Sequence, residues 1–286
     1  MIRSLLPHLW LLEQAIRSIK AGPKQVKWWG SYNLSFNRWG RWRIGPLSLY
    51  ARPRDHEWHI AFRQHPDPLD SSLQLEAGTD SEPDPDSYEF LRYAVDCPDN
   101  RLELEPRLGD RPFIVSPEQP LFLLAGQKSV LYVSTIVWIH VKTGDRSNNV
   151  LLDMPTIRRS DTWFGANTRE GELCYATKTS ARTELEAIQP RPHRAVTPVE
   201  IRNEGTEMLP IEQLRVPVPA LSLYTDTDDR LWTDAVCFVR QEGQNEATMT
   251  TPEPSAHLPG RRTRIDTPRA PVETGTIVKA FSKLLT

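Results

Sequence analysis

Between residues 28 and 64 apolar and polar side chains exchange places at almost every step, and this alternation constrains the fold more than any other feature of the chain. Trp42 and Ile44, then Leu47, Leu49 and Ala51, then Trp58, Ile60 and Phe62 form three apolar rows. Arg41, Arg43, Glu57, His59, Arg63 and His65 fall on the opposite parity. Successive side chains of a strand point to opposite faces, so a period of two predicts antiparallel strands with one buried face. Turns are expected at residues 37–40, where Gly40 would supply a positive φ, at Gly45-Pro46, and at Pro53-Arg54-Asp55. Three strands with one apolar face each need a second layer over that face.

A chain of 286 residues has material for about two domains. Its 25 prolines against 14 glycines favour short strands and stiff connectors over long helices. Further strands are expected at 89–95, 102–104, 113–115, 121–124 and 130–141, the last kinked at Ser134-Thr135. Beyond a boundary at Asp153-Met154-Pro155, five short runs between 172 and 239 alternate with turns rich in Gly, Asn and Asp, the pattern of an immunoglobulin-like sandwich. Near the N-terminus Ile2, Leu5, Leu9, Leu12, Ile16 and Ile19 recur at helical spacing until Gly22-Pro23. Near the C-terminus Ile277, Val278, Phe281, Leu284 and Leu285 share one helical face after a Pro-rich stretch. The expected fold is all-β. Two antiparallel β-sandwich-like domains occupy 25–155 and 156–242, the second immunoglobulin-like. A short amphipathic helix lies at each end, within 1–24 and within a linker-plus-helix segment at 243–286.

Net charge is only −2, but it is unevenly spread. Residues 1–64 carry eleven Lys and Arg against three acids, and residues 67–110 carry thirteen acids against three arginines. A basic face for an anionic partner is one reading. Mutual neutralisation of adjacent segments is the reading preferred. Cys97, Cys174 and Cys237 are far apart with no C-x-x-C spacing, which implies neither a disulfide framework nor a zinc finger. The longest apolar run, 130–141, is too short to span a bilayer, which takes about 20 residues. A cytoplasmic protein is expected, membrane-associated only through a partner.

No motif compels a reaction: G-x-S-x-G, G-x-x-x-x-G-K-[ST] and G-x-G-x-x-G are all absent. A binder is therefore favoured over an enzyme, with no cofactor. Its contacts would come from the N-terminal stripe (Leu5, Leu9, Ile16), the C-terminal one (Ile277, Phe281, Leu284) and the basic Trp-rich face, engaging a protein partner or a second copy of the chain. The alternative is a cupin-like enzyme or sensor holding one divalent transition metal on Glu57, His59 and His65, although Arg63 lies between the two histidines. A third reading places single-stranded nucleic acid or glycan on Trp39, Arg41 and Arg43. Nucleic acid is the least favoured partner, since no RNP1, KH or zinc-finger pattern accompanies these residues.

Two passages together resemble a bacterial and archaeal family of soluble proteins catalogued as a domain of unknown function. One is Gly45-Pro46-Leu47 running into Glu57-Trp58-His59-Ile60. The other is Pro198-Val199-Glu200-Ile201-Arg202-Asn203, continuing through 214–219 to Leu221-Ser222-Leu223-Tyr224. The similarity extends over roughly residues 28–240. It carries no catalytic residues, and it implies an accessory role beside a membrane protein such as a small-conductance mechanosensitive channel.

Overall fold

The computed structural model describes residues 27–96, 99–144, 149–165, 169, 171–177, 179–240, 247–250, 260–271, 277–278 and 281–282. Its first strands are β1 (Gly30–Asn33), β2 (Trp39–Ile44), β3 (Leu47–Arg54), β4 (Glu57–Gln64), β5 (Leu73–Thr79), β6 (Glu89–Ala94) and β7 (Arg101–Arg107). Strands β2 to β6 form one antiparallel sheet in the order β5-β2-β3-β4-β6. The alternation read from the sequence holds: Trp42, Ile44, Leu47, Leu49, Trp58 and Ile60 are buried on one face, and Arg41, Arg43, Arg52, Glu57 and His59 project from the other.

The turn between β1 and β2 differs from expectation. Asn37, not Gly40, takes the positive φ, at 62°. Asn tolerates that region because its short side chain bonds locally. Gly40 lies inside β2, where a Cβ would sit 2.5 Å from the Trp42 ring. The glycine makes room for the indole instead of bending the chain.

Strand β1 pairs with β7, which continues through Trp138–Thr143 to Val150–Pro155 in a second antiparallel sheet. The long apolar run breaks at Val137, two residues beyond the kink anticipated at Ser134-Thr135, because its two parts serve different sheets. Lys128–Ile136 pairs along its whole length with Arg194–Asn203. Arg194–Asn203 runs parallel to Leu231–Thr233 and Val236–Arg240, which departs from the antiparallel sheets of an immunoglobulin sandwich. A further sheet joins Ser160–Phe164, Glu172–Ala176, Phe113–Val115, Gln213–Val216 and Phe281–Ser282. Sheets therefore cross residue 155, and one hydrophobic cluster extends from Trp28 to Met249.

The chain is all-β. Among the described residues helix is confined to two three-residue 3-10 turns, Leu185–Ala187 and Val218–Ala220. The C-terminal segment expected to be helical forms two short strands, Ile277–Val278 on Ala247–Thr250 and Phe281–Ser282 on Gln213–Val216. A lone helix of that length is marginal in water, whereas two sheet edges offer it backbone partners. The N-terminal segment 1–24, with Leu5, Leu9 and Ile16, lies outside the described residues, as does Leu284.

The Trp-rich sheet is fastened to the rest through a buried polar seam. Gly45 has φ +54°, and a Cβ there would meet His193 Nδ1 at 2.1 Å. His193 and Arg194 are both buried. Arg194 donates to the carbonyls of Ser134 (3.0 Å) and Pro68 (3.4 Å) and to Thr179 Oγ1 (3.3 Å). Burial, reinforced by Arg194, lowers the His193 pKa to about 3, so the imidazole is neutral in the fold.

Candidate functional site

The outward face of the β5-β2-β3-β4-β6 sheet gathers the charged and aromatic residues that the apolar pattern rejects. Register sets Arg52 opposite His59, and Arg41 opposite Tyr50, which in turn faces Ala61. Tyr50 sits at the centre. Its ring meets Trp39 edge-on at 6.1 Å and Tyr88 at 5.4 Å, and the Arg41 guanidinium lies 5.7 Å from it. The Arg52 guanidinium stacks over Trp39 at 4.3 Å, a close cation–π contact. Trp39 is only 3% exposed, yet its Nε1–H and the Arg52 Nε–H lack an acceptor among the described residues. Two buried donors side by side with no partner mark a place where an acceptor is wanted.

Acids from the 67–110 segment meet this face. Arg43 pairs with Asp70 at 2.5 Å, Arg38 with Asp80 at 3.0 Å and Arg52 with Glu82 at 2.9 Å. These pairs are part of the mutual neutralisation expected from the charge runs. It is incomplete: Arg41, Arg54 and Arg63 have no ion-pair partner among the described residues.

Glu57 and His59 come together, and His65 does not join them. Arg92 grips Glu57 with two bonds, at 2.7 and 2.8 Å, and His59 Nε2 lies 3.0 Å from the same carboxylate. Hydrogen bonds from Arg92 and then from His59 pull the Glu57 pKa down to about 2. Burial, with Arg52 and Arg54 nearby, lowers the His59 pKa, and Arg52 approaches Nδ1 at 3.4 Å. His65 lies six positions further along the strand, about 20 Å away at strand rise. It belongs to another chain of contacts, Asp70 to Arg43 to Ser48 to His65, with Ser48 Oγ 2.8 Å from Arg43 and 3.0 Å from His65. Burial works against ionisation of Asp70, but bonds from Ser72 and Arg43 outweigh it and bring the carboxyl to about 2. Glu57, His59 and His65 therefore do not converge on one point. Among the described residues no group of three or more His, Cys, Asp and Glu side chains is arranged to hold a metal ion.

His56 lies exposed in the turn before β4. The Asp226–Asp229 cluster is the tip of an antiparallel hairpin. Asp226 accepts from the backbone of Asp228 and Arg230 and from the Trp232 indole. Cys174 and Cys237 are buried, and burial raises both thiol pKa values, so neither is an activated nucleophile. A cleft of about 530 Å³ opens elsewhere, among Asp110, Arg111, Glu172, Arg215 and several prolines, with Arg215 paired to Glu172 and Arg111 to Asp161.

The model of the family described as "Protein of unknown function (DUF432)" matches residues 28–286. The chain belongs to this family. The match extends beyond the span of the two sequence passages and includes the whole outward face together with the C-terminal strands. No curated protein and no solved structure matches the chain. Among the described residues no helix is long and apolar enough to cross a membrane.

Sequence pattern alone gave Trp39, Arg41 and Arg43 but passed over Tyr50 and Arg52. The signal was available: if Leu49 and Ala51 face inward, Tyr50 and Arg52 must face out. Tyr88, Asp80 and Glu82 carry no such local signal, because their placement depends on where an irregular loop lands.

Proposed function

We propose that this is a non-catalytic interaction protein that binds a protein partner on the outward face of its Trp-rich sheet. The observation that carries this reading is the guanidinium set Arg41, Arg54 and Arg63, which forms no ion pair among the described residues and shares the outward face with Trp39 and Tyr50. Arginine and aromatic side chains are the residues most enriched in energetically dominant contacts between proteins. The same set attracts an acidic surface and steers its approach, an effect that weakens with salt. A channel or other membrane protein fits this reading where it offers an acidic segment to the solvent.

Retention on immobilised poly-glutamate tests the reading directly. The protein carries a net charge of −2, so retention at low salt requires a localised basic face. The wild type is expected to bind and to elute with salt. The variant Arg41→Glu/Arg54→Glu/Arg63→Glu, with unchanged thermal stability, is expected to flow through. Wild-type protein that flows through at low salt would contradict the proposal.

A further inference from the structure

The loop from Asp80 to Tyr88 crosses the outward face and carries the acids that occupy part of it. Its sequence is Asp-Ser-Glu-Pro-Asp-Pro-Asp-Ser-Tyr. Asp80 reaches Arg38, and Glu82 reaches the Arg52 guanidinium that stacks on Trp39. Pro83 is buried, and Tyr88 packs on Tyr50. These four contacts hold the loop down.

Its backbone is held differently. The Ser81 N–H donates to Thr79 Oγ1, the Asp86 N–H to Asp84 Oδ1, and the N–H groups of Ser87 and Tyr88 to the Asp84 carbonyl. Every one of these bonds closes within residues 79–88, and none ties the loop to the sheet beneath. The Asp80 and Glu82 side chains are 81% and 71% exposed, so both ion pairs are of the solvated kind, weak and salt-sensitive. Trp39 Nε1–H and Arg52 Nε–H, both buried beside this loop, have no acceptor among the described residues. The loop fills the site without satisfying it.

We propose that residues 80–88 are a displaceable strap, an intramolecular stand-in for the ligand, and that the ligand is an extended acidic peptide segment of a partner protein. The inference rests on the interaction-protein reading above and names the chemistry of the partner. An incoming segment takes the place of Asp80 and Glu82 on Arg38 and Arg52, and brings carbonyl or carboxylate oxygens to Trp39 Nε1 and Arg52 Nε. A peptide fits better than a nucleic acid because Arg52 over Trp39 and Arg41 over Tyr50 stay in place when the strap leaves, so donors stand where base stacking would need open ring faces.

The test titrates a fluorescent peptide with the sequence of residues 79–88 into the full chain at low salt. Three proteins are compared: wild type, Asp80→Asn/Glu82→Gln, and Tyr88→Ala, which releases the strap without changing its charge. Both variants are expected to bind the peptide about tenfold more tightly than wild type, as two exposed ion pairs or one ring contact permit. Arg52→Ala in either background is expected to abolish the gain. Equal affinity in all three proteins would overturn the strap even if poly-glutamate retention persists, which separates this failure from failure of the underlying reading. Tighter binding of a ten-residue oligothymidylate than of the peptide would overturn the assignment of the ligand.

Discussion

Trp58 and Trp39 stand on opposite faces of the same sheet and are almost equally buried, at 0% and 3% exposure, but they are buried by different things. Trp58 belongs to the cluster that runs through the sheets from Trp28 to Met249. Trp39 belongs to a small cluster with Tyr50, Ala61 and Tyr88, roofed by Arg52 and the strap. One indole is covered by structure that the whole fold depends on. The other is covered by one loop whose backbone bonds stay within itself. Burial alone does not distinguish a core residue from a site residue, whereas the identity of the covering layer does.

The contrast breaks if substitutions on the two faces cost the same. Trp58→Ala is expected to lower the unfolding free energy by about 3–5 kcal/mol, as truncation of a core Trp does, and Trp39→Ala by only about 1–2 kcal/mol, both read from urea denaturation. Gly45→Ala is expected to cost about 2–4 kcal/mol, because the added carbon meets His193 at 2.1 Å and the φ of +54° disfavours a side chain. The buried seam also sets a pH dependence. His193 is neutral in the fold, its pKa lowered from 6.5 to about 3, and the unfolded chain takes up its proton first as pH falls. Its contribution is therefore complete above pH 6.5 and is lost progressively toward 3, by up to about 1.4 kcal/mol per pH unit. Denaturation midpoints measured from pH 7 to 5 should show this slope, and His193→Gln should flatten it. At the small end, Asp80→Asn and Glu82→Gln are each expected to change stability by less than about 1 kcal/mol, since both pairs are solvated.

How much of this was legible beforehand differs between the two faces as well. The inward face was readable from Trp42, Ile44, Leu49, Trp58 and Ile60, because side-chain parity is a local property of a strand. The outward residues Arg41, Arg43, Glu57 and His59 followed from the same parity. What they touch did not, since Asp70, Asp80, Glu82 and Tyr88 arrive through irregular loops. His59 and His65 share a face, and reading them as a pair neglected the rise of six strand residues between them. The C-terminal residues Ile277 and Phe281 fit a helical period over too short a stretch to exclude strand pairing, and two open sheet edges decided the outcome. The parallel neighbours of Arg194–Asn203 left no trace in local pattern, because they depend on connections made far along the chain.

The central claim is that one face of the Trp-rich sheet builds the fold and the other receives an acidic partner. Indole N–H resonances observed during titration with the 79–88 peptide report on both faces at once, with Trp39, Trp42 and Trp58 assigned through Trp→Phe variants. The Trp39 resonance should move and saturate as its Nε1–H gains an acceptor, while those of Trp42 and Trp58 stay in place. A Trp39 resonance that does not respond, or one that moves no more than those of Trp42 and Trp58, would contradict the account.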